Sequence, residues 1–455
     1  MGKRKEILIL GGGFGGVYTA LYLESFYKKD DDIRITLVSQ DNFLLFTPML
    51  HEIAAADLDA NDIVNPIRKL IKKVQFFCGS VDGINLDKKE ITVSHGETYH
   101  SHAITYDYLV LALGSVTHYY GLPGLEENAL SMKSLGDAIH LRNEVIALLE
   151  EADFDCSRDI RKQLLTFVVA GGGFAGVETI AAIHDFIHDI LCFYPNVKKD
   201  DVRVVLAHSG KTLLPELNQS LGEYAGKLLA NRGVEVRYQT KVTSYQNLTV
   251  EFSDGTQVKA STLVWTAGSS PNPHIGGLTC IKERGRVLVK ATLEIEQYPG
   301  VYAIGDCAAI PDIVKGGFHP PTAQHAIREA KTAAKNIRAA IAGTQQSQFK
   351  FTTLGQLASL GHQKGVAQVF GFNFSGLFAW FLWRTIYLMK LPRIEKRVRV
   401  ALSWTLDLLF SKDNVQLPVG RTRGALVKSV SHPHGTQPDF AGARVEKTIQ
   451  SVNIL

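Results

Sequence analysis

Ile7-Leu8-Ile9-Leu10-Gly11-Gly12-Gly13-Phe14-Gly15-Gly16 is the stretch on which the reading of this chain turns. Four apolar residues in a row suit a strand buried on both faces. Gly11, Gly13 and Gly16 then satisfy G-x-G-x-x-G ahead of an apolar-periodic helix. Gly11 permits the tight turn, Gly13 lets the backbone approach a pyrophosphate, and Gly16 lets the helix pack close to the strand. The helix N-terminus offers free N–H groups and a partial positive charge to the phosphates. The competing reading is a glycine-rich turn with no ligand. Against it stands a second copy, Phe167-Val168-Val169-Ala170 followed by Gly171-Gly172-Gly173-Phe174-Ala175-Gly176. Each copy leads on to another apolar strand, at 33–38 and 202–207. Two such accidents are much rarer than one. The expected fold class is α/β, with two Rossmann-like dinucleotide-binding domains.

Composition fits. The chain has 455 residues, 45% of them hydrophobic and 21% charged, enough for two or three domains with their own cores. The net charge of +4, from 49 basic and 45 acidic residues, is too small to argue for nucleic acid as a partner. Five cysteines, Cys78, Cys156, Cys192, Cys280 and Cys307, form no CxxC pair. They suggest neither a disulfide framework, a metal site nor a dithiol redox centre, and a reducing, cytosol-facing compartment suits them. The apolar run after Met1–Glu6 is too short for a signal peptide, and no apolar stretch reaches the roughly 20 residues of a membrane span.

Strands expected at 108–114 and 263–268 end in small residues, and Ala112, Gly114 and Gly268 join the cofactor-binding candidates. Another, at 301–304, runs into Gly305-Asp306. An Asp there either accepts from a flavin's ribityl hydroxyl or caps a helix. Beside the first turn, the flavin role is favoured, which makes FAD the cofactor of the first fold. A long helix is expected at 321–342. The acid that ends the second strand of many such folds is missing twice. Ser39 and Gln40 stand there in the first copy, with Asp41 just beyond to reach a ribose or to start the next turn, and Ala207-His208-Ser209 in the second. An acid there binds the ribose hydroxyls and repels a 2′-phosphate. Without it, and with Lys211 close by but no Arg adjacent, NADH and NADPH both stay open as donors. Glu178 is either an acid stabilising the first turn of its helix or a carboxylate near the contact of nicotinamide and flavin.

Several segments together carry a family resemblance. They are GGGFGG at 11–16, Phe46-Thr47-Pro48-Met49-Leu50-His51-Glu52-Ile53-Ala54, GGGFAGVE at 171–178, WTAG at 265–268, YAIGDC at 302–307 and PPTAQHA at 320–326. With these, the chain resembles type II NADH:quinone oxidoreductases, the non-proton-pumping membrane flavoenzymes of respiratory chains. The resemblance spans about residues 5–415. It implies FAD at 1–125 and 291–345, touching Phe14 and Thr47, and a nicotinamide dinucleotide at 126–290. Hydride would pass to the flavin, and a membrane quinone would take the electrons at the opposite face. The family pattern AQxAxQ appears as Ala323-Gln324-His325-Ala326-Ile327-Arg328. Gln324 is carried over as a catalytic and cofactor-contacting residue, and Arg328 departs from the pattern. His325 is a proton donor or a structural histidine. Glu178 matches a family carboxylate on the nicotinamide and proton route. The neighbouring disulfide reductases and sulfide:quinone oxidoreductases use paired cysteines, whereas Cys307 stands alone and suits apolar packing.

The C-terminal region, 346–420, is expected to be α+β and to anchor the protein to a membrane. Between Arg384 and Arg399 lie six basic residues and one acid, Glu395. On a helix from 394, the residues Ile394, Val398, Ala401, Leu402, Leu408 and Leu409 share a face, with Trp380, Trp383, Tyr387 and Trp404 nearby. That is the make-up of a helix lying on anionic lipid. Packing on the core or against a second copy in a homodimer is the alternative. Residues 421–455 read as a flexible tail. The expected placement is peripheral, on the cytoplasmic face of the inner (plasma) membrane. Two other functions compete: a soluble reductase feeding a protein acceptor, and a regulatory flavoprotein resembling apoptosis-inducing factors.

Overall fold

The computed structural model describes residues 4–417, apart from 29, 97, 98, 155 and 156; the expected tail at 421–455 lies outside them. The first fold comprises β1 (Lys5–Leu10), α1 (Phe14–Phe26), β2 (Ile33–Ser39), β3 (Gln75–Cys78) and β4 (Tyr108–Leu111). β1 lies between β2 and β4, parallel to both, with Leu10 opposite Val38 on one side and Leu111 on the other. Ile7 to Leu10 are almost wholly buried. A central parallel strand with both faces covered requires that, which is why the sequence shows no alternation there.

The second fold repeats the plan with β5 (Thr166–Ala170), α2 (Phe174–Ile190), β6 (Arg203–Ala207), β7 (Val234–Arg237) and β8 (Thr262–Trp265), in the order β7-β6-β5-β8. The chain then returns. β9 (Val301–Ala303) pairs parallel with β4 and completes the first sheet as β9-β4-β1-β2-β3. α3 (Ala323–Ile341) packs along α1. Its inward residues Ala330, Ala333, Ala334 and Ile337 are fully buried and mostly small, which suits a close helix crossing. The expected strands at 108–114 and 263–268 stop early, at Leu111 and Trp265. Their last residues bend away to meet the glycine turns instead.

Two short strands, Ser115–Thr117 and Ser269–Pro271, cross antiparallel where the chain leaves the first fold and comes back. Lys133 Nζ donates to Ser115 Oγ at 3.0 Å and to Ser269 Oγ at 3.1 Å, tying both crossings together.

The C-terminal part is α+β. An antiparallel sheet of β10 (Gly355–Ser359), β11 (Gly365–Val369) and β12 (Phe372–Ser375) is followed by α4 (Gly376–Lys390) and α5 (Ile394–Asp407). Here the structure corrects the sequence reading. Trp383 and Trp404, expected beside an interfacial face, are buried and turn inward to carboxylates. The basic run is partly used inside the protein. Lys396 is buried and donates to Asn61 O, Arg393 pairs with Glu395 at 2.7 Å, and Arg384 stacks between Trp380 and Trp404. The apolar face behaves otherwise. Ile394, Val398, Leu402, Leu408 and Leu409 are all more than half exposed. Val400 and Trp404 hold the opposite side of α5 to the core. Among the described residues no helix is long and apolar enough to cross a membrane.

Candidate active site

Both glycine turns take the geometry that their sequence demands. Gly11 has φ +113° and Gly171 φ +120°, a region that only glycine occupies readily. A Cβ on Gly16 would lie 1.8 Å from Gly11 O, and one on Gly176 would lie 1.8 Å from Gly171 O. No side chain fits at either helix–strand contact. Gly13 differs, because a Cβ there would meet no atom within 4 Å. Gly13 immediately precedes α1 and faces open space at the free N–H groups of that helix. A pyrophosphate fits in this cradle. Ser39 lies under the same turn, with its Oγ 2.2 Å from where a Gly12 Cβ would be. Ala112 O lies 2.1 Å from a Gly11 Cβ. Gly114 has φ +69° and borders open space.

Asp306 is no helix cap. It sits inside the 3-10 turn Gly305–Cys307, and its carboxylate accepts from Ser115 Oγ at 2.7 Å. This bond ties Asp306 to the crossing strand Ser115–Thr117. Gly305 N–H donates to Glu329 Oε2 at 2.8 Å, and burial pushes the Glu329 carboxyl up to about 8. Cys307 is fully buried, with its thiol pushed up to about 12, so it packs and does not react at neutral pH.

In the second fold α2 begins at Phe174, directly after Gly173, which places Glu178 in its second turn. The dipole reading of Glu178 therefore fails, since that effect fades beyond the first turn. Glu178 is instead a meeting point. Its Oε1 accepts from Ser359 N–H of β10 at 3.0 Å and from Trp383 Nε1 of α4 at 3.1 Å. Its Oε2 lies 3.7 Å from His51 Nδ1, on the short helix Leu50–Ala54 of the first fold. The contact has the spacing of an ion pair but not the charges of one. Desolvation raises the Glu178 carboxyl to about 8 and lowers the His51 imidazole to about 3, so both are neutral near pH 7.

A second buried carboxylate copies this arrangement. Trp404 Nε1 donates to Glu52 Oε2 at 3.0 Å, and burial raises the Glu52 carboxyl, with Asp57 and Asp407 adding to the rise. Aromatic contacts join the two regions to the first glycine turn. Phe14 meets Phe46 edge-on at 5.8 Å, Phe46 meets Tyr387 at 6.3 Å, and Tyr387 meets Trp383 at 4.9 Å. Thr47, exposed, opens the turn Thr47–Met49 beside Phe46, and Met49 at its end is buried.

Gln324, in the first turn of α3, donates from Nε2 to Gly355 O at 3.3 Å, linking α3 to β10. Arg328 lies over the Phe351 ring at 4.1 Å and donates to Gln324 O at 2.8 Å. His325 is buried, with Nδ1 2.7 Å from Thr322 Oγ1 and its ring against Phe351 and His319. Desolvation lowers it to about 4, leaving it neutral. His208 accepts from Gly172 N–H at Nδ1, 3.2 Å away. Gly268 packs on the crossing strand, where a Cβ would lie 2.0 Å from His118 O.

Sequence reasoning passed over His51, Glu52, Glu329 and the inward role of the tryptophans. His51 and Glu52 stand in the quoted 46–54 segment, but nothing local marks them as buried.

Residues 5–330 match the pyridine nucleotide-disulphide oxidoreductase family, and residues 354–413 match the NDH2 C-terminal domain. These matches agree with the double fold and its appended sheet and helices: the protein is a pyridine-nucleotide oxidoreductase. Type II NADH:quinone oxidoreductase Ndh of Mycobacterium tuberculosis is 31% identical over 429 residues, 90% of this chain and 89% of that one. Its Staphylococcus aureus counterpart is 29% identical over 388 residues, 84% of this chain and 94% of that one. The chain belongs to the type II NADH:quinone oxidoreductases. NDH2 of Plasmodium falciparum, solved in complex with NADH, has the same fold, with a TM-score of 0.84 at 20% identity over 90% of this chain and all of that one.

Proposed function

We propose that the protein oxidises NADH at an FAD held by the first fold and reduces a membrane quinone, without pumping protons. The observation that carries this is the convergence at Glu178. The nicotinamide-side helix, the first fold's His51 and the C-terminal domain's Trp383 and Ser359 all meet at one neutral carboxyl. Gly11, Gly13, Phe14, Gly16, Ser39, Thr47, Ala112, Gly114, Gly305 and Asp306 hold FAD. Gly171, Gly173, Gly176, His208 and Gly268 shape the nucleotide site. Bound there, FAD would supply the two-electron redox chemistry that links the nicotinamide to the acceptor.

The chain's own work is positioning and proton supply. With its carboxyl raised to about 8, Glu178 holds a proton at neutral pH, and the Ser359 and Trp383 N–H groups fix its other oxygen. That proton serves the quinol oxygen that forms on reduction. Gln324 orients the quinone from the start of α3, and His325, kept neutral, braces that turn. The domain limits are taken as 1–125 with 291–345 for FAD, 126–290 for the nucleotide and 346–420 for the membrane region. The exposed apolar face of α5 supports attachment to a lipid surface, and the cytoplasmic side is part of the proposal.

Stopped-flow absorbance at the flavin's visible band tests the reaction. NADH should bleach the band and a short-chain quinone restore it. Bleaching with no return of colour would move the acceptor away from quinone.

A further inference from the structure

The nucleotide site of the second fold lacks a carboxylate at the end of β6. After Ala207 come His208, Ser209, Gly210, Lys211 and Thr212, and the first acid is Glu216. Glu216 faces the turn instead, with Oε1 3.8 Å from where a Gly173 Cβ would be. The segment is fixed in place by its backbone. His208 N–H donates to Arg237 O at 2.8 Å, Thr240 N–H to His208 O at 2.9 Å, and Gln239 N–H to Gly210 O at 3.0 Å. The His208 ring is occupied as well. Nδ1 takes the Gly172 N–H, which makes it the unprotonated nitrogen and leaves the hydrogen on Nε2. No group here resembles an acid that accepts from ribose hydroxyls.

The neighbouring strand supplies no substitute. Ala207 pairs in register with Arg237 at the end of β7. The one acid of β7, Glu235, is taken up by Arg203, at 2.8 and 2.9 Å, and by Arg237 Nε, at 2.6 Å. Its charge is matched by two guanidinium groups. Lys211 stands exposed on the same loop. The strand end where the adenosine ribose rests in this fold class therefore bears an imidazole and an exposed lysine, with Arg237 paired to Glu235 and no unpaired carboxylate to repel a phosphate.

We propose that this site accepts the 2′-phosphorylated dinucleotide NADPH as a donor alongside NADH. The inference rests on the second fold being the nicotinamide site. NADPH should then bleach the flavin with kcat/KM within about tenfold of NADH. Binding gives a readout free of turnover. On the flavin-loaded protein, adenosine 2′,5′-bisphosphate should bind at least as tightly as 5′-AMP by titration calorimetry. Lys211→Ala, an exposed change, should weaken the bisphosphate more than the monophosphate. His208→Glu, which restores an acid at this strand end, should cut the NADPH-to-NADH ratio by roughly tenfold or more. Bleaching by NADH alone, with no binding of the bisphosphate, would overturn the inference and leave the NADH reading standing. Bleaching by neither nucleotide would remove both.

Discussion

At the scale of one residue, Glu178 shows how burial sets chemistry. A carboxyl with two N–H donors would ordinarily be held ionised, and here desolvation outweighs both bonds. Glu178→Gln keeps the hydrogen-bond acceptor and removes the proton. We expect flavin bleaching by NADH to survive and quinone-dependent turnover to fall by roughly tenfold or more, the usual size of a lost proton-transfer group. Wild-type turnover should decline as pH rises through about 8, where Glu178 gives up its proton, and that limb should vanish in the variant. Trp383→Phe removes a bond that favours the charged form, so the same limb should move to higher pH. Little of this was legible in the sequence. The partners of Glu178 lie 181 and 205 residues away, and no local pattern encodes them.

At the scale of the element, the glycine turns were legible because their constraints lie within six residues of chain. They also separate folding from binding. Gly13→Val adds a Cβ that meets nothing in the protein itself within 4 Å. It should fold with unchanged circular dichroism and purify with less than about a tenth of the wild-type flavin, its methyls filling the pyrophosphate's place. Gly16→Ala strikes Gly11 O, so it should lower the melting temperature as well as the flavin content. The helices α4 and α5 were legible as helices but not in how they face. Aromatic residues flanked by lysine and arginine look alike whether they meet lipid or core. What decides is the presence of Glu178 and Glu52 beneath them, two buried carboxyls that need donors. For the same reason α5 is not a detachable anchor, since cutting it away would also strip Trp404 from Glu52 and Ser403 from Asp62. Leu402→Glu with Leu409→Glu is the cleaner change, because both residues point to solvent. That pair should abolish co-sedimentation with anionic vesicles while flavin content stays at the wild-type level. Unaltered co-sedimentation would count against the lipid face.

At the scale of the whole molecule, the buried acids bind the fold to pH. Glu178 and Glu329 are raised to about 8 from an ordinary 4.5, and Glu52 is raised with them. Between those limits the unfolded chain has released protons that the folded protein still holds. Stability is therefore greatest below about 4.5, as far as these groups go, and is lost as pH climbs through 8. The buried histidines, His51 and His325 among them, oppose this below their ordinary 6.5, so the melting temperature should fall from about pH 6.5 to pH 8, and Glu329→Gln should flatten part of that slope. Scanning calorimetry across the range decides it. The two-fold architecture itself was readable from the repeated turn, and the family match over 5–330 agrees with it.

The crossing strands, Ser115–Thr117 and Ser269–Pro271, hold the two folds at a fixed span, with Lys133 bonded to both and Ser115 bonded on to Asp306. Hydride transfer is sensitive to the gap it crosses, so this small joint would act as a ruler between the nicotinamide and the flavin once both are bound. With Lys133→Met the ruler would slacken. Deuterium in the transferred position should then slow the bleaching by a factor that varies with temperature, where the intact joint keeps that factor nearly constant.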